Sequence, residues 1–382
     1  MKPYVASHLK DMNRKTVYKL ISSAEEISRA EISRQTGISS PTVIKIVNFF
    51  VENGFLTEAG EGESAIGRKP QILRFNPEAQ YSIGVEFEGD YLKAGIVDLL
   101  GNVKVFKQIH VKPDFDMIMG NRLGDIIENI VRETGVDNKK ILGVGIGIPG
   151  VVDRHRHIVE VAPLIGIFDK RDCSSVIKSF SHRTGYPVFV ENDVNAAALG
   201  EFVIRRMGPT DDLIYVSLGT GLGAGIILDG RLRRGKHNFA GEMGYMVHDS
   251  RYKTSKSKPG WMEEQINLKS LSEKWSFSVA LNTKSGSSGT PGEYTKDVID
   301  HVASKLALCI TNFTTLVDVD FVVIGGVVAR SLGHSLLEAV QNYLSDLCLL
   351  DISCDIQQCS EPGVVGMAAI VTENRLDEIL VD

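Results

Sequence analysis

Near the N-terminus, apolar residues recur at helical spacing. Val43, Val47, Phe50 and Val51 fall on the inward side of one predicted helix, and Ser40, Thr42 and Lys45 fall on another face. Just before it, Ser28 with Glu31 three places later forms a capping-box pattern, and Gly37 can supply the positive φ that stops a helix. Ser39 or Ser40 then caps the next helix, whose first position is Pro41, where a missing N–H costs nothing. Residues 13–22 predict a further helix. Gly54 ends the last one, and residues 55–58 and 72–75 predict two strands joined by AGEGESAIGRKPQ. Residues 28–57 therefore read as a helix-turn-helix, and the hairpin after them as a wing.

From about residue 80 the pattern changes to strands and glycine turns. YSIGVEFEGDYLKAGIVDLLGNVKVFKQI holds three alternating apolar segments, with Gly89-Asp90 and Gly101-Asn102 at turn positions, and predicts an antiparallel meander. Beyond it, ILGVGIGIPGVVD, PVFVENDVNAAALGEF, LIYVSLGTGLGAGIILDG and FVVIGGVVA each read as a buried strand ending in glycines or acidic residues, most with a helical pattern behind. Functional groups gathered at strand ends are the layout of a ligand cleft between α/β lobes.

Charge separates the two parts. Residues 1–75 hold 11 Lys plus Arg against 8 Asp plus Glu, a net of +3; the whole chain is −6, which leaves −9 for residues 76–382. Only the N-terminal segment suits a polyanion. The short, polar, partly basic face carrying Ser39, Ser40, Thr42 and Lys45 is what a helix in a major groove needs, and Arg68 and Lys69 in the wing are placed for phosphates or a minor groove. A helical interaction module with an ordinary hairpin is the alternative. At 382 residues, 43% hydrophobic, the chain is expected to bury two or three cores. No apolar run is long enough for a membrane span and no secretory pattern is present; five cysteines without a C-x-x-C pair suggest reduced thiols and a cytoplasmic location.

GIGIPGVVD, VENDVNAAALGE, LGTGLGAGIILDGRLRRG and AGEMGY, taken together and in this order, resemble the ROK family of repressors, open reading frames and sugar kinases. The resemblance covers nearly the whole chain and implies an α/β architecture: a winged helix-turn-helix over 1–76, then a two-lobed actin-like ATPase, or ribonuclease-H-like, domain. Its N-terminal lobe is expected over 77–200, with the C-terminal helix of 363–382 packing back on it. The C-terminal lobe, with the ligand cleft and a dimer surface, is expected over 201–362. Asp193 occupies the family's catalytic-base position and, with Asn192, stands where a strand meets a helix. A carboxylate there can take the proton of an attacking hydroxyl or simply hydrogen-bond it; capping the helix is the plainer role. Glu242, Tyr245 and Glu263 match positions that hold sugar hydroxyls, a task suited to carboxylates because each accepts from two hydroxyls. Gly219, Thr220, Gly221, Gly223 and Gly225 match the phosphate turn, which in isolation is as often a packing turn, and Gly325-Gly326 the adenosine region.

Two departures matter. Kinases of the family open with an Asp-x-Gly-Gly-Thr-like turn; here Glu86-Phe87-Glu88-Gly89-Asp90 sets a second carboxylate and a Phe where a backbone must meet a triphosphate. The family's structural zinc cluster is missing: Tyr245 replaces the His, and VHDSRYKTSKSKPGWMEEQ holds no cysteine. No metal and no ATP are therefore expected. His155 and His157 read as an exposed hairpin face, SRYKTSKSKPG as a polar basic loop, and SGSSGTPGE at 285–293 as a surface loop. The expected function is a sugar-responsive repressor of carbohydrate uptake or catabolism genes, with xylose or glucose as the metabolic context. It would bind operator DNA as a homodimer or dimer of dimers and would need no cofactor. The alternatives are an ATP-dependent sugar kinase with a fused DNA-binding domain, and a regulator whose effector is a protein partner.

Overall fold

A computed structural model describes residues 6–61, 71–111, 114–117, 119, 122–162, 165–253, 260–279 and 296–380. The first unit contains α1 (Ala6–Ser23), β1 (Ile27–Ser28), α2 (Arg29–Thr36), α3 (Ser40–Glu52), β2 (Leu56–Glu61) and β3 (Gln71–Phe75). Ser28 caps α2 by accepting from the Glu31 N–H, and Gly37 ends it at φ 69°. Ser39 is the N-cap of α3, but its hydroxyl bonds Thr42 Oγ1 at 2.9 Å rather than a backbone N–H. Val43, Ile46, Val47 and Phe50 are buried. Ile46 joins the inward face beside them, and Val51, half-buried, packs against the same core. Tyr18, Phe50, Phe55 and Phe75 meet with ring centroids 5.7 to 6.3 Å apart, mostly edge-on, and knit the helices to the wing. β1, which the sequence pattern did not predict, adds to β3 so that the small sheet runs β1–β3–β2. Arg68 and Lys69 lie outside the described residues.

The rest is one topology used twice. The first lobe has β4 (Tyr81–Glu88), β5 (Tyr91–Asp98), β6 (Val103–His110), α4 (Phe115–Met117), α5 (Leu123–Thr134), β7 (Ile141–Ile148), β8 (Val151–Asp153), β9 (Ile158–Val161), β10 (Arg171–Asp172), α6 (Ser174–Thr184), β11 (Val188–Asn192) and α7 (Asp193–Ile204). The second has β12 (Leu213–Leu218), β13 (Leu222–Leu228), β14 (Arg231–Leu232), α8 (Trp261–Ile266), α9 (Leu268–Trp275), α10 (Lys296–Val317), β15 (Phe321–Gly325), α11 (Val327–Leu347), β16 (Ser353–Ile356) and α12 (Pro362–Ile379). Their sheets run β11–β7–β4–β5–β6 and β14–β13–β12–β15–β16. In each, an antiparallel three-stranded meander is extended by two parallel strands. Tight turns suffice inside a meander, whereas parallel neighbours need the helical crossovers that α5, α6, α10 and α11 supply.

The helix that follows each lobe's last strand packs on the other lobe. α7 lies against β12 and β13, and α12 lies against β4 and β7. The two helices cross at very short range: a Cβ on Gly366 would stand 1.6 Å from the Ala196 carbonyl oxygen, and one on Gly200 2.0 Å from that of Pro362. α12 then runs on to the first unit. Leu376 and Leu380 join its hydrophobic core, and Arg14 of α1 donates to the Leu380 carbonyl at 2.9 Å while its guanidinium stacks 3.7 Å over Phe49.

Residues 305–326 are in large part core: Leu306, Ala307, Cys309, Ile310, Val322 and Val323 are buried. Cys348 is half-buried and the other four cysteines are buried; all five are free. SGSSGTPGE and residues 254–259 lie outside the described residues. No helix among the described residues is long and apolar enough to cross a membrane.

Candidate functional site

The parallel register of β11 on β7 brings Asn192 opposite Ile148, one residue before the Pro149-Gly150 turn. Asn192 is spent on that junction. Its Oδ1 accepts from the Asn195 N–H at 2.8 Å, capping α7, and its Nδ2 donates to the Gly150 carbonyl at 3.0 Å. Asp193, the first residue of α7, accepts from the Val194 N–H at 2.9 Å. Burial pushes its carboxyl up to about 7; the backbone N–H groups of Val194 and Asp193 oppose that, and the charge of Glu88 adds to it.

Two more carboxyls complete the group. Glu242 is pushed up to about 7 by burial and then by the charges of Asp193 and Glu263. Glu263, on α8, is raised by burial and accepts weakly from the Leu222 N–H at 3.4 Å. A Cβ on Gly244 would come within 3.0 Å of Glu263 Oε2, so the glycine lets the carboxylate tuck beneath the Glu242 loop. That loop is tethered by Arg234, whose Nε donates at 2.6 Å to buried Glu191, the residue before Asn192. Tyr245 stands at the rim, 38% exposed, its ring 5.6 Å from that of half-exposed Phe239. Its phenol is raised by burial and then by the charges of Glu242 and Glu263. Glu242 is thus within electrostatic reach of Asp193, Glu263 and Tyr245. A group of carboxyls of this kind can accept hydrogen bonds from the hydroxyls of a neutral polyol.

On the far side of Asp193 the lobes are joined by ion pairs. Lys93, buried in β5, contacts Glu88 at 2.6 Å and Glu361 at 2.8 Å, and Arg330 of α11 reaches Glu88 at 3.0 Å. The Lys93–Glu361 and Arg330–Glu88 pairs both cross from one lobe to the other. Despite burial, the cations Lys93 and Arg330 hold Glu88 below the ordinary carboxylate range. Glu86 goes the other way: burial pushes it up to about 8 against the pull of Lys93, with Glu88, Glu361 and Asp193 adding to the rise. A Cβ on Gly363 would sit 2.2 Å from the Glu86 carboxyl carbon, so that carboxyl rests on the start of α12. Glu86, Glu88, Lys93, Asp193, Tyr215 and Arg330 enclose a cavity of about 40 Å³, room for about two or three waters.

The motif glycines have another use. A Cβ on Gly225 would stand 2.4 Å from that of Ala198 and one on Gly223 3.2 Å from Val194, so both glycines let α7 lie flat on β13. Gly219, Thr220 and Gly221 close the β12–β13 hairpin, with the Gly219 N–H donating to the Gly221 carbonyl at 2.9 Å. At Gly325 a Cβ would meet the Tyr215 hydroxyl at 2.3 Å, and that hydroxyl donates to Gln357 Oε1 at 2.8 Å. His155 is exposed and His157 half-exposed at the β8–β9 turn, where Asp153 accepts from the N–H groups of His155 and Arg156. Among the described residues no three His, Cys, Asp or Glu side chains group to hold a metal ion.

In the first unit, Ser39, Ser40 and Lys45 are exposed on α3, whereas Thr42 is half-buried. Sequence reasoning passed over Lys93, Arg234, Arg330 and Glu361. A lysine in the middle of the apolar run YLKAGIVD was the one visible signal.

A family model described as the ROK family matches residues 82–374, and one described as winged helix-turn-helix DNA-binding matches residues 11–57. The xylose repressor of Bacillus subtilis (strain 168) is 34% identical over 241 residues, 63% of this chain and 62% of that one. The chain thus spans about 62% of the length of that curated relative. The crystal structure of a ROK family transcriptional regulator, a homolog of the E. coli MLC protein, superposes with TM-score 0.75 at 23% identity, covering 98% of this chain and 99% of that one, and so shares the fold. A ROK family glucokinase from Streptomyces griseus, in complex with glucose and AMPPNP, superposes with TM-score 0.61 at 26% identity, covering 77% of this chain and 99% of that one.

Proposed function

This chain belongs to the ROK family, and on that premise we propose that it is a sugar-responsive transcriptional repressor without kinase activity. The observation that supports the reading is the grouping of the Asp193, Glu242 and Glu263 carboxyls beside ion pairs that engage Lys93 and Arg330 with Glu88 and Glu361. A triphosphate would have to displace Arg330 and Lys93 from Glu88 and Glu361. It would also bring its negative charges against the Glu88 carboxylate. The residues present do not fit it. Nor do they fit the family's zinc ion, because Tyr245 stands where the histidine ligand would be and residues 246–264 contain no cysteine.

The effector is a neutral sugar held by Asp193, Glu242 and Glu263, with Tyr245 at the rim; a pentose or hexose of the xylose or glucose type fits. It changes how the lobes close, and α12, crossing α7 at one end and seated in the DNA-binding core at the other, carries the change to α3. A few kcal/mol of differential affinity suffices, since each ~1.4 kcal/mol is tenfold. The protein works in the cytoplasm on operator DNA, as a homodimer or dimer of dimers matched to a symmetric site.

The test is the thermal midpoint of the purified protein against neutral pentoses and hexoses, amino sugars and sugar phosphates, each with and without Mg-ATP. The expected result is a rise with one neutral sugar and none with ATP. Sugar-dependent ATP consumption that vanishes in Asp193→Asn would overturn it in favour of a kinase with a fused DNA-binding domain, and no response to any sugar would point to a protein effector.

A further inference from the structure

The DNA-binding reading above can be taken to the bases, and the following rests on it. α3 buries Val43, Ile46, Val47 and Phe50, none more than 4% exposed, yet Ile44 is 47% exposed. Ser40, Ile44 and Asn48 follow one another at four-residue spacing, so they form one line along the helix, with Lys45 exposed beside it. A β-branched residue is a weak choice for an exposed helix position, where straight-chain or polar residues lose less rotamer freedom and leave less apolar surface in water. Closer to the helix start, the hydroxyls of Ser39 and Thr42 are joined to each other at 2.9 Å, and Ser40 faces Ser33 of α2 at 3.4 Å. The groups left turned outward without that engagement are an aliphatic side chain and a carboxamide, one turn apart.

We propose that Ile44 and Asn48 read base edges in the major groove. Ile44 packs against the 5-methyl group of a thymine. Asn48 makes a pair of hydrogen bonds to an adenine, its Oδ1 accepting from N6–H and its Nδ2 donating to N7. Each operator half-site then carries A·T pairs at the positions under the second and third turns of α3, and Lys45 serves a phosphate beside them.

The test begins with full-length protein and a pool of random-sequence duplexes, and the enriched duplex becomes the probe. Its thymines are replaced singly by deoxyuridine, which lacks only the methyl group, and its adenines by 7-deazaadenine, which lacks only the N7 acceptor. For the unaltered protein, one thymine per half-site is expected to cost about fourfold in affinity when replaced, and one adenine about fivefold. In Ile44→Ala the deoxyuridine effect disappears and the 7-deazaadenine effect stays; in Asn48→Ala the pattern reverses. Both side chains are exposed, so the variants keep the core of the unit intact. Half-sites without A·T pairs, or base effects that the two variants leave unchanged, would overturn the assignment while leaving DNA binding standing. If no duplex is enriched, the DNA-binding reading itself fails and this inference falls with it.

Discussion

Asp193 gives the sharpest test of the cleft, because its burial is written into the pH dependence of stability. Its carboxyl is raised from 3.8 to about 7 in the folded chain. Between those values the native state holds a proton that the unfolded chain has lost, so stability falls as pH rises through the window. The contribution is complete below 3.8 and gone above about 7. Asn has the same shape and no such proton. The stability of the natural chain minus that of Asp193→Asn should therefore drop by about 2 kcal/mol between roughly pH 5 and pH 7, the slope of about 1.4 kcal/mol per pH unit easing as Asp193 ionises in the folded state, and then level off. Urea denaturation at half-unit steps measures this, followed by tryptophan emission from Trp261 and Trp275 of the second lobe. A saturating sugar should flatten the slope, because hydroxyl donors favour the charged carboxylate. A difference constant to within about 0.5 kcal/mol across the range would refute the burial argument, and with it the picture of Asp193 as a desolvated acceptor waiting for a hydroxyl.

Three further outcomes follow from the packing. Lys93→Met leaves Glu361 without its cation and Glu88 with Arg330 alone, and should cost about 3 to 5 kcal/mol in urea denaturation; adding Glu361→Gln should recover part of the loss. Gly366→Ala should leave no folded protein, because the new methyl group would lie 1.6 Å from the Ala196 carbonyl oxygen and neither helix can retreat from its sheet. Arg14→Ala removes the hydrogen bond to Leu380 and the stack on Phe49. Its expected cost is only about 1 to 2 kcal/mol, but the sugar should then still bind while losing most of its effect on duplex affinity, measured by titrating labelled DNA with and without sugar.

Much of the molecule was legible in the chain. Ser28, Glu31 and Gly37 act within one or two turns, so their caps can be read from spacing, and the meander of β4 to β6 follows from alternation and turn residues. Ile46 was missed because the apolar stripe of α3 is wide enough to bury both 46 and 47, and four-residue spacing from Val43 marks only Val47. The glycines of 219–225 looked like a phosphate turn because tight packing and anion binding ask for the same residue. Only the nearness of Ala198 and Val194 distinguishes the two at Gly225 and Gly223. Lys93 and Glu361 are 268 positions apart, and no local pattern marks them as partners.

By itself, then, the sequence determined the parts: a winged helix-turn-helix, glycine-bounded strands, and acidic residues at strand ends. These follow from backbone preferences and from which side of an element is apolar, and both act over a few residues. Tertiary structure decided what the parts are for. The packing of the lobes brings Lys93 to Glu361 and Arg330 to Glu88, burial raises Asp193, Glu242 and Glu263 together, and the end of α12 is seated in the core of the winged helix unit. Each of these depends on groups far apart in the chain meeting in a medium of low polarity, where desolvation and charge pairing are strong, and neither force has a counterpart in the order of residues alone.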